Sequence, residues 1–311
     1  MRTVFFGTPE LAVPSLAAVA AHHEVAAVVC QPDKPRGRGK KLGPPPVKVW
    51  AREHGLAVHQ PARLNDGGFE AWLREQRPEL CTIAAYGRLL KQPILDVPPH
   101  GFINMHPSLL PRWRGPSPIQ SAVLAGDRET GVSIMQLALE MDAGPLILQE
   151  KATIGAHESA AELAGRLGPI GARLLLEAVD AIAHGTATYT PQNDAQAVYC
   201  RMLRKEDGFI DWSKPAHVLH NQVRGCQPWP VAQCVWHGAV CRIHRSAVLD
   251  NPATASPGTV TLVAKDRIGV ATGAGQLIIL EFQAPGKKAM SMEAFLRGHT
   301  IERGERFESR T

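Results

Sequence analysis

Apolar runs of strand length that alternate with amphipathic helical stretches constrain this chain more than any other feature. Strand-like runs fall at residues 4–7, 25–30, 80–85, 102–106, 132–137 and 146–153, and helical spacing of apolar residues occupies 9–21, 46–54, 69–75 and 117–124. A helix between two strands carries the chain back to the edge from which it started, so successive strands pair in parallel. The alternation therefore predicts an α/β fold built on a doubly wound, mostly parallel sheet. The turn Gly7-Thr8-Pro9-Glu10 predicts a helix start with Thr8 as N-cap and Pro9 at the first helical position. A long amphipathic helix at 159–184, with Ser159 and Glu162 at capping-box spacing, closes a first domain expected over 1–189.

Residues 190–207 are polar and aperiodic, as in a linker. Beyond them the pattern changes. One helical stretch at 215–224 is followed by short β-rich runs at 232–236, 239–246, 258–263, 268–271 and 277–283 with no helices between them. This predicts a smaller OB-like β-barrel domain over 208–311. A chain of 311 residues is long enough for two such cores, and 44% hydrophobic with 20% charged residues is a globular composition. No apolar run approaches the roughly 20 residues that span a bilayer, and the apolar stretch at the start is too short for a signal peptide, so a cytoplasmic location is expected. Six cysteines occur without any Cys-x-x-Cys pair or zinc-like spacing, which predicts neither a metal site nor a disulfide framework. Only Gly7 stands in the first strand-turn-helix, where a dinucleotide cradle needs Gly-x-Gly-x-x-Gly, and this argues against a redox enzyme.

The chemistry concentrates in Asn104-Met105-His106-Pro107-Ser108-Leu109-Leu110-Pro111. Residues two apart on a strand project to one side, so Asn104 and His106 point together, and Pro107 ends the strand because it cannot donate to a ladder. A donor amide beside a titratable imidazole, at the carboxyl end of a strand in an α/β sheet, suits a reaction that builds negative charge on oxygen while a proton moves. Charge is localised too. Residues 33–48 hold Lys34, Arg36, Arg38, Lys40, Lys41 and Lys48 against Asp33, six minus one, which equals the +5 of the whole chain. Attraction to a polyanion is thus expected at one place.

Several strings together carry a resemblance: Phe6-Gly7-Thr8-Pro9, the basic segment from Gln31 to Lys41 with Pro46-Val47-Lys48, Ala85-Tyr86-Gly87, Asn104 through Gly115, Pro118-Ile119-Gln120, Met141-Asp142-Ala143-Gly144, Ile210-Asp211-Trp212-Ser213 and Pro228-Trp229-Pro230. They resemble the folate-dependent formyltransferase family along almost the whole chain. The Asn-x-His, Ser-Leu-Leu-Pro and Asp-x-Gly set is shared by the entire family. The basic segment and the second domain are similar to the branch that formylates initiator tRNA. Pro107 departs from that branch, where many members carry a small residue.

The resemblance implies transfer of the formyl group of 10-formyltetrahydrofolate to the amino group of methionyl initiator tRNA, without a metal. A monomer is expected. By resemblance Asn104 stabilises the oxyanion, His106 takes the proton, and Asp142, in the turn after strand 132–137, reaches the imidazole, orients it and raises its pKa. Tyr86, Gly87, Ser108, Leu109, Leu110 and Pro111 correspond to the tetrahydrofolate site, and Arg36, Arg38, Lys40 and Lys41 to the contact with the tRNA acceptor end. The alternative within the family is a small amine such as an amino-sugar nucleotide, with the basic segment binding its diphosphate.

Overall fold

The computed structural model describes residues 1–36, 41–64, 66–251 and 254–310. The chain divides into two compact units, one of residues 1–118, 129–153 and 164–200 and one of 119–128, 154–163 and 201–311.

In chain order the first elements are β1 (Arg2–Gly7), α1 (Val13–His22), β2 (Glu24–Val29), β3 (Lys34–Arg36), β4 (Lys41–Gly43), α2 (Pro46–Glu53), β5 (Val58–His59), α3 (Gly68–Glu75) and β6 (Leu80–Ala84). There follow α4 (Gln92–Leu95), β7 (Phe102–His106), β8 (Arg112–Arg114), α5 (Pro118–Ala125), β9 (Glu129–Gln136), β10 (Leu146–Thr153), α6 (Ala160–Ala183) and β11 (Val198–Tyr199). The sheet of the first unit has the order β10-β9-β7-β6-β1-β2-β5. β1 lies parallel to both β2 and β6, β2 to β5, and β6 to β7. The expected mostly parallel, doubly wound sheet is present, with one antiparallel edge: β9 runs against β7 and β10 against β9. The nine residues between β9 and β10 hold no helix, and without a crossover element a strand can only return antiparallel.

β1 and β6 are apolar and buried almost throughout, because a doubly wound sheet is covered on both faces. Phe6 stands at the centre of one core, edge-on to Phe69, Tyr86 and Phe102 at ring separations of 6.1, 5.4 and 5.4 Å. The chain winds from β1 through β2 to β5 and then resumes at β6 on the other side of β1. Strand order therefore reverses between β1 and β6, and sheets of this kind open a crevice there at their carboxyl edge.

Thr8 behaves differently from the sequence expectation. Residues Glu10–Ala12 form a 3-10 turn capped by Pro9 without a side-chain bond, and α1 begins only at Val13. The Thr8 hydroxyl instead donates to the Tyr86 carbonyl at 3.1 Å, across the crevice. An acceptor presented by the neighbouring strand end has displaced the local N–H partner. The capping box at α6 forms as its spacing predicts: Ser159 Oγ accepts from the Glu162 N–H at 3.2 Å, and Glu162 Oε2 accepts from the Ser159 N–H at 2.8 Å.

The second unit contains α7 (Ala216–Gly225), β12 (Ala232–Trp236), β13 (Ala239–Leu249), β14 (Val260–Val263), β15 (Ile268–Ala271), β16 (Gln276–Gln283), β17 (Met290–Ser291), α8 (Met292–Leu296) and β18 (Phe307–Glu308). Its sheet has the order β14-β15-β16-β13-β12-β18, with β17 on β16, and every pairing is antiparallel. Register shifts at Ile243–Arg245 and Arg245–Ser246 bend the long β13, so the sheet curls as a half-barrel around its own core. Phe282 is fully buried there against Phe295, Phe307 and Trp236 at 5.0, 6.0 and 6.3 Å. Among the described residues no helix is long and apolar enough to cross a membrane, and no group of three His, Cys, Asp or Glu side chains is placed to hold a metal ion.

Candidate active site

The carboxyl ends of four parallel strands frame the site: Thr8 follows β1, Gln31 follows β2, Tyr86 and Gly87 follow β6, and His106 ends β7. Ile103 and Met105 of β7 are buried in the sheet, so strand alternation sets Asn104 and His106 together. Asn104 is half-buried. Among the described residues its carboxamide has no hydrogen-bond partner, which leaves its N–H groups available as donors.

His106 is buried, and its Nε2 lies 2.9 Å from the Trp113 carbonyl oxygen. A carbonyl only accepts, so Nε2 carries the proton of the neutral ring, and Nδ1 is the atom left to receive another. Nδ1 faces Asp142 Oδ2 at 3.7 Å. Burial holds the His106 pKa below its ordinary value, while the Asp142 carboxylate and the Trp113 carbonyl pull it back upward. The resting imidazole is neutral, and a carboxylate waits beside the nitrogen that becomes charged on protonation.

Two close approaches fix that carboxylate. Asp142 Oδ2 accepts from the Gly115 N–H at 2.7 Å, and Gly115 has a φ of +121°, a conformation that favours glycine; a Cβ there would also lie 2.3 Å from the Cys200 carbonyl oxygen. At Gly144 a Cβ would lie 1.8 Å from the Gln136 carbonyl oxygen, so the segment carrying Asp142 presses directly on the end of β9.

The loop Ser108-Leu109-Leu110-Pro111 is held from within the protein. Ser108 Oγ donates to the Arg112 carbonyl at 2.7 Å, Ser133 Oγ donates to the Ser108 carbonyl at 2.7 Å and accepts from the Leu110 N–H at 3.1 Å, and Gln149 Nε2 donates to Ser133 Oγ and to the Leu110 carbonyl. Ser108 and Leu110 are buried, while Leu109 and Pro111 are half-buried. The Tyr86 ring belongs to the core beneath β1, and its carbonyl accepts from Thr8 and from Gln31 Nε2. Gly87 lies at φ +76°, with its carbonyl 3.2 Å from the same Gln31 amide.

A cavity of about 590 Å³ is lined among others by Gln92, Leu95, Phe102, Gln136, Leu137 and Leu139. Gln136 pairs with Ile103, next to Asn104, and Leu137 and Leu139 lie on the loop that continues to Asp142. Sequence reasoning passed over this lining because Leu95, Phe102 and Leu137 read only as apolar core.

The base of the basic segment is an antiparallel hairpin in which Lys34 pairs with Gly43 and Arg36 with Lys41. Lys48 is buried, and its Nζ donates to both Asp33 oxygens, at 2.7 and 2.8 Å, and to Gln60 Oε1 at 2.7 Å. It cancels Asp33 and anchors the hairpin. Arg38 and Lys40 lie outside the described residues.

A free amide donor, a neutral buried imidazole and a carboxylate beside it are groups that can serve a transferase moving a one-carbon or acyl group onto an amine. Formyl transferase family patterns match the chain over residues 1–179, and those of the formyl transferase C-terminal domain over 202–300; the chain belongs to this family. It is 46% identical over 306 residues to the methionyl-tRNA formyltransferase of Moorella thermoacetica, covering 98% of each chain. With that of Methylococcus capsulatus it shares 45% over 302 residues, covering 97% of this chain and 98% of the other. Its sequence thus lies among the methionyl-tRNA formyltransferases. The fold alone is shared more widely: the N-formyltransferase of Helicobacter canadensis, solved with folinic acid and dTDP-3-aminofucose, superposes with a TM-score of 0.69 at 18% identity, covering 89% of this chain and 97% of that one.

Proposed function

We infer that this protein transfers the formyl group of 10-formyltetrahydrofolate to the free amino group of methionyl initiator tRNA. The observation that carries this reading is the meeting of Asn104, His106 and Asp142 at one carboxyl edge, and the cavity of about 590 Å³ is lined by Phe102, two residues before Asn104 on β7, and by Leu137 and Leu139 of the segment that leads to Asp142. That size falls within the roughly 300 to 1,000 Å³ of small-ligand sites, and apolar walls from Leu95, Phe102 and Leu137 with amides from Gln92 and Gln136 suit a flat, polar-edged pterin. The bound donor supplies the formyl carbon. Asn104 donates to the formyl oxygen as charge develops on it, an interaction worth about 3 to 4 kcal/mol in comparable acyl-transfer sites. His106 receives the amine proton at Nδ1 and gives it to the folate nitrogen as that nitrogen's bond to the formyl carbon breaks, a contribution on the order of a hundredfold to ten-thousandfold. Asp142 orients the ring and stabilises the imidazolium. The segments Tyr86-Gly87 and 108–111 border the donor and keep the catalytic strand end in place.

With Lys48 and Asp33 paired to each other, Lys34, Arg36, Arg38, Lys40 and Lys41 remain to meet phosphates of the acceptor end. Residues 1–189 form the catalytic domain, 190–207 the linker, and 208–311 a tRNA-binding domain; the active species is a monomer, which sedimentation of the tRNA complex tests. Phosphate contact makes affinity fall steeply with salt. The test of the reaction is transfer of labelled formyl from 10-formyltetrahydrofolate to charged initiator tRNA, with charged elongator methionine tRNA and amino-sugar nucleotides in parallel. Product on the initiator tRNA is expected. Product on a small amine alone would reassign the hairpin to diphosphate binding, and no product on any acceptor would overturn formyl transfer itself.

A further inference from the structure

We propose that Gln192 is a positioning residue for this reaction, its carboxamide holding the backbone of Asp142 at the place from which the carboxylate faces His106. The proposal rests on the formyl-transfer reading and assigns a role to a residue in a stretch that reads as polar and aperiodic.

Gln192 touches both turns that carry the partners of His106 and Asp142. Its Nε2 donates to the Asp142 carbonyl at 2.9 Å and to the Gly144 carbonyl at 2.7 Å. Its Oε1 accepts from Arg114 Nε at 3.1 Å and Nη2 at 2.9 Å. Arg114 is only 1% exposed, and it donates further to Asp194 Oδ1 at 2.6 Å and to the Tyr199 hydroxyl at 3.3 Å. A guanidinium has no acceptor, so it dictates which end of the Gln192 amide faces it and turns the NH₂ toward the two carbonyls. Arg114 itself sits between Trp113, whose carbonyl accepts from His106 Nε2, and Gly115, whose N–H holds the Asp142 carboxylate. One side chain thus joins the two halves of the catalytic pair.

The segment needs that support. Asp142 has a φ of +51°, a strained conformation for a residue with a Cβ, and Gly144 is pressed against the Gln136 carbonyl. A side chain of equal size without donors leaves two carbonyls unbonded and lets the segment relax away from His106. Among the described residues Asp142 is the one charged group set against His106, with the Trp113 carbonyl as the other polar neighbour. Withdrawal of Asp142 therefore has a specific signature: the proton affinity of His106 falls.

The experiment is formyl transfer to charged initiator tRNA by the full-length Gln192→Met variant, at saturating substrates and across pH, beside the wild type. The expected result is a kcat lowered roughly tenfold to a hundredfold, KM values within about threefold of wild type, and an acid limb of the kcat profile moved to lower pH. An unchanged kcat, or a lowered kcat with an unmoved limb, would overturn the positioning role. An inactive wild type would instead overturn the formyl-transfer reading, so the two failures are distinct. If Gln192→Met does not fold, Gln192→Glu keeps the acceptor for Arg114, replaces the two donors by an oxygen that cannot bond the carbonyls, and adds a negative charge beside Arg114. A kcat loss of about tenfold with unchanged KM supports the role there, and a loss under about twofold refutes it.

Discussion

Replacing Asp142 with asparagine removes a charge while keeping the shape of the site. The asparagine oxygen can still accept from the Gly115 N–H, which now bonds Asp142 Oδ2 at 2.7 Å. What disappears is the attraction between the carboxylate and a protonated His106 whose Nδ1 lies 3.7 Å away. Unit charges about 4 Å apart interact by about 4 kcal/mol at an effective dielectric constant of roughly 20. Because His106 is neutral at rest, that energy acts only once the proton has arrived, and it lowers the barrier without tightening the ground state. The carboxylate is 15% exposed, so solvent takes a share of it. At about 1.4 kcal/mol per decade, the expected loss in kcat is on the order of a hundredfold to a thousandfold.

The same variant shifts the pH profile. Burial lowers the His106 pKa and Asp142 raises it in opposition, so the variant's acid limb moves further down. Both quantities come from steady-state formyl transfer at saturating substrates over a range of pH, with tRNA affinity measured separately as a control. A loss below about fivefold, or a limb that moves upward, would refute the assignment of Asp142 to imidazolium stabilisation.

Gly144→Ala puts a Cβ into the Gln136 carbonyl and displaces the segment of Asp142, so kcat should fall roughly a hundredfold while the circular dichroism spectrum stays native; wild-type turnover would contradict the close approach. In the second unit, Phe282→Ala empties the space between Phe295, Phe307 and Trp236 and should cost about 3 to 5 kcal/mol in urea unfolding, with a loss near zero disproving that Phe282 is central to that core. Burial is the leading cause that lowers the pKa values of His23, His59, His106 and His220 from 6.5 in the folded chain. Below about pH 6.5 the unfolded chain then binds more protons, so unfolding free energy should decline as pH drops from about 7 to about 5; a flat profile would show that these rings are not held neutral.

Much of the fold was legible because its determinants are local. The two-residue period of 102–106 paired Asn104 with His106 on one side, the apolar runs of β1 and β6 announced a sheet covered on both faces, and the three-residue spacing of Ser159 and Glu162 gave a helix start that forms as drawn. Where a distant partner competed, local reading failed: Thr8 had the chemistry of a cap, but the Tyr86 carbonyl across the crevice took its hydroxyl. The charge excess near the hairpin was visible as a sum, whereas the burial of Lys48 against Asp33 and Gln60 was not, since nothing in the spacing tells an anchoring lysine from one that meets solvent.

By itself, then, the sequence determined the order and type of the main elements, the pairing of amide and imidazole at the end of β7, and the place where positive charge collects. Each follows from residues a few positions apart, whose relation a helical or extended backbone sets at once. Only the tertiary structure decided the antiparallel edge, the 3.7 Å approach of Asp142 to His106, and the bridge made by Gln192. The Gly115–Asp142 bond spans 27 positions, the Gln192–Asp142 bond 50 and the Arg114–Gln192 bond 78. Over such separations, hydrogen-bond geometry depends on how whole strands and loops pack, which residue spacing does not carry.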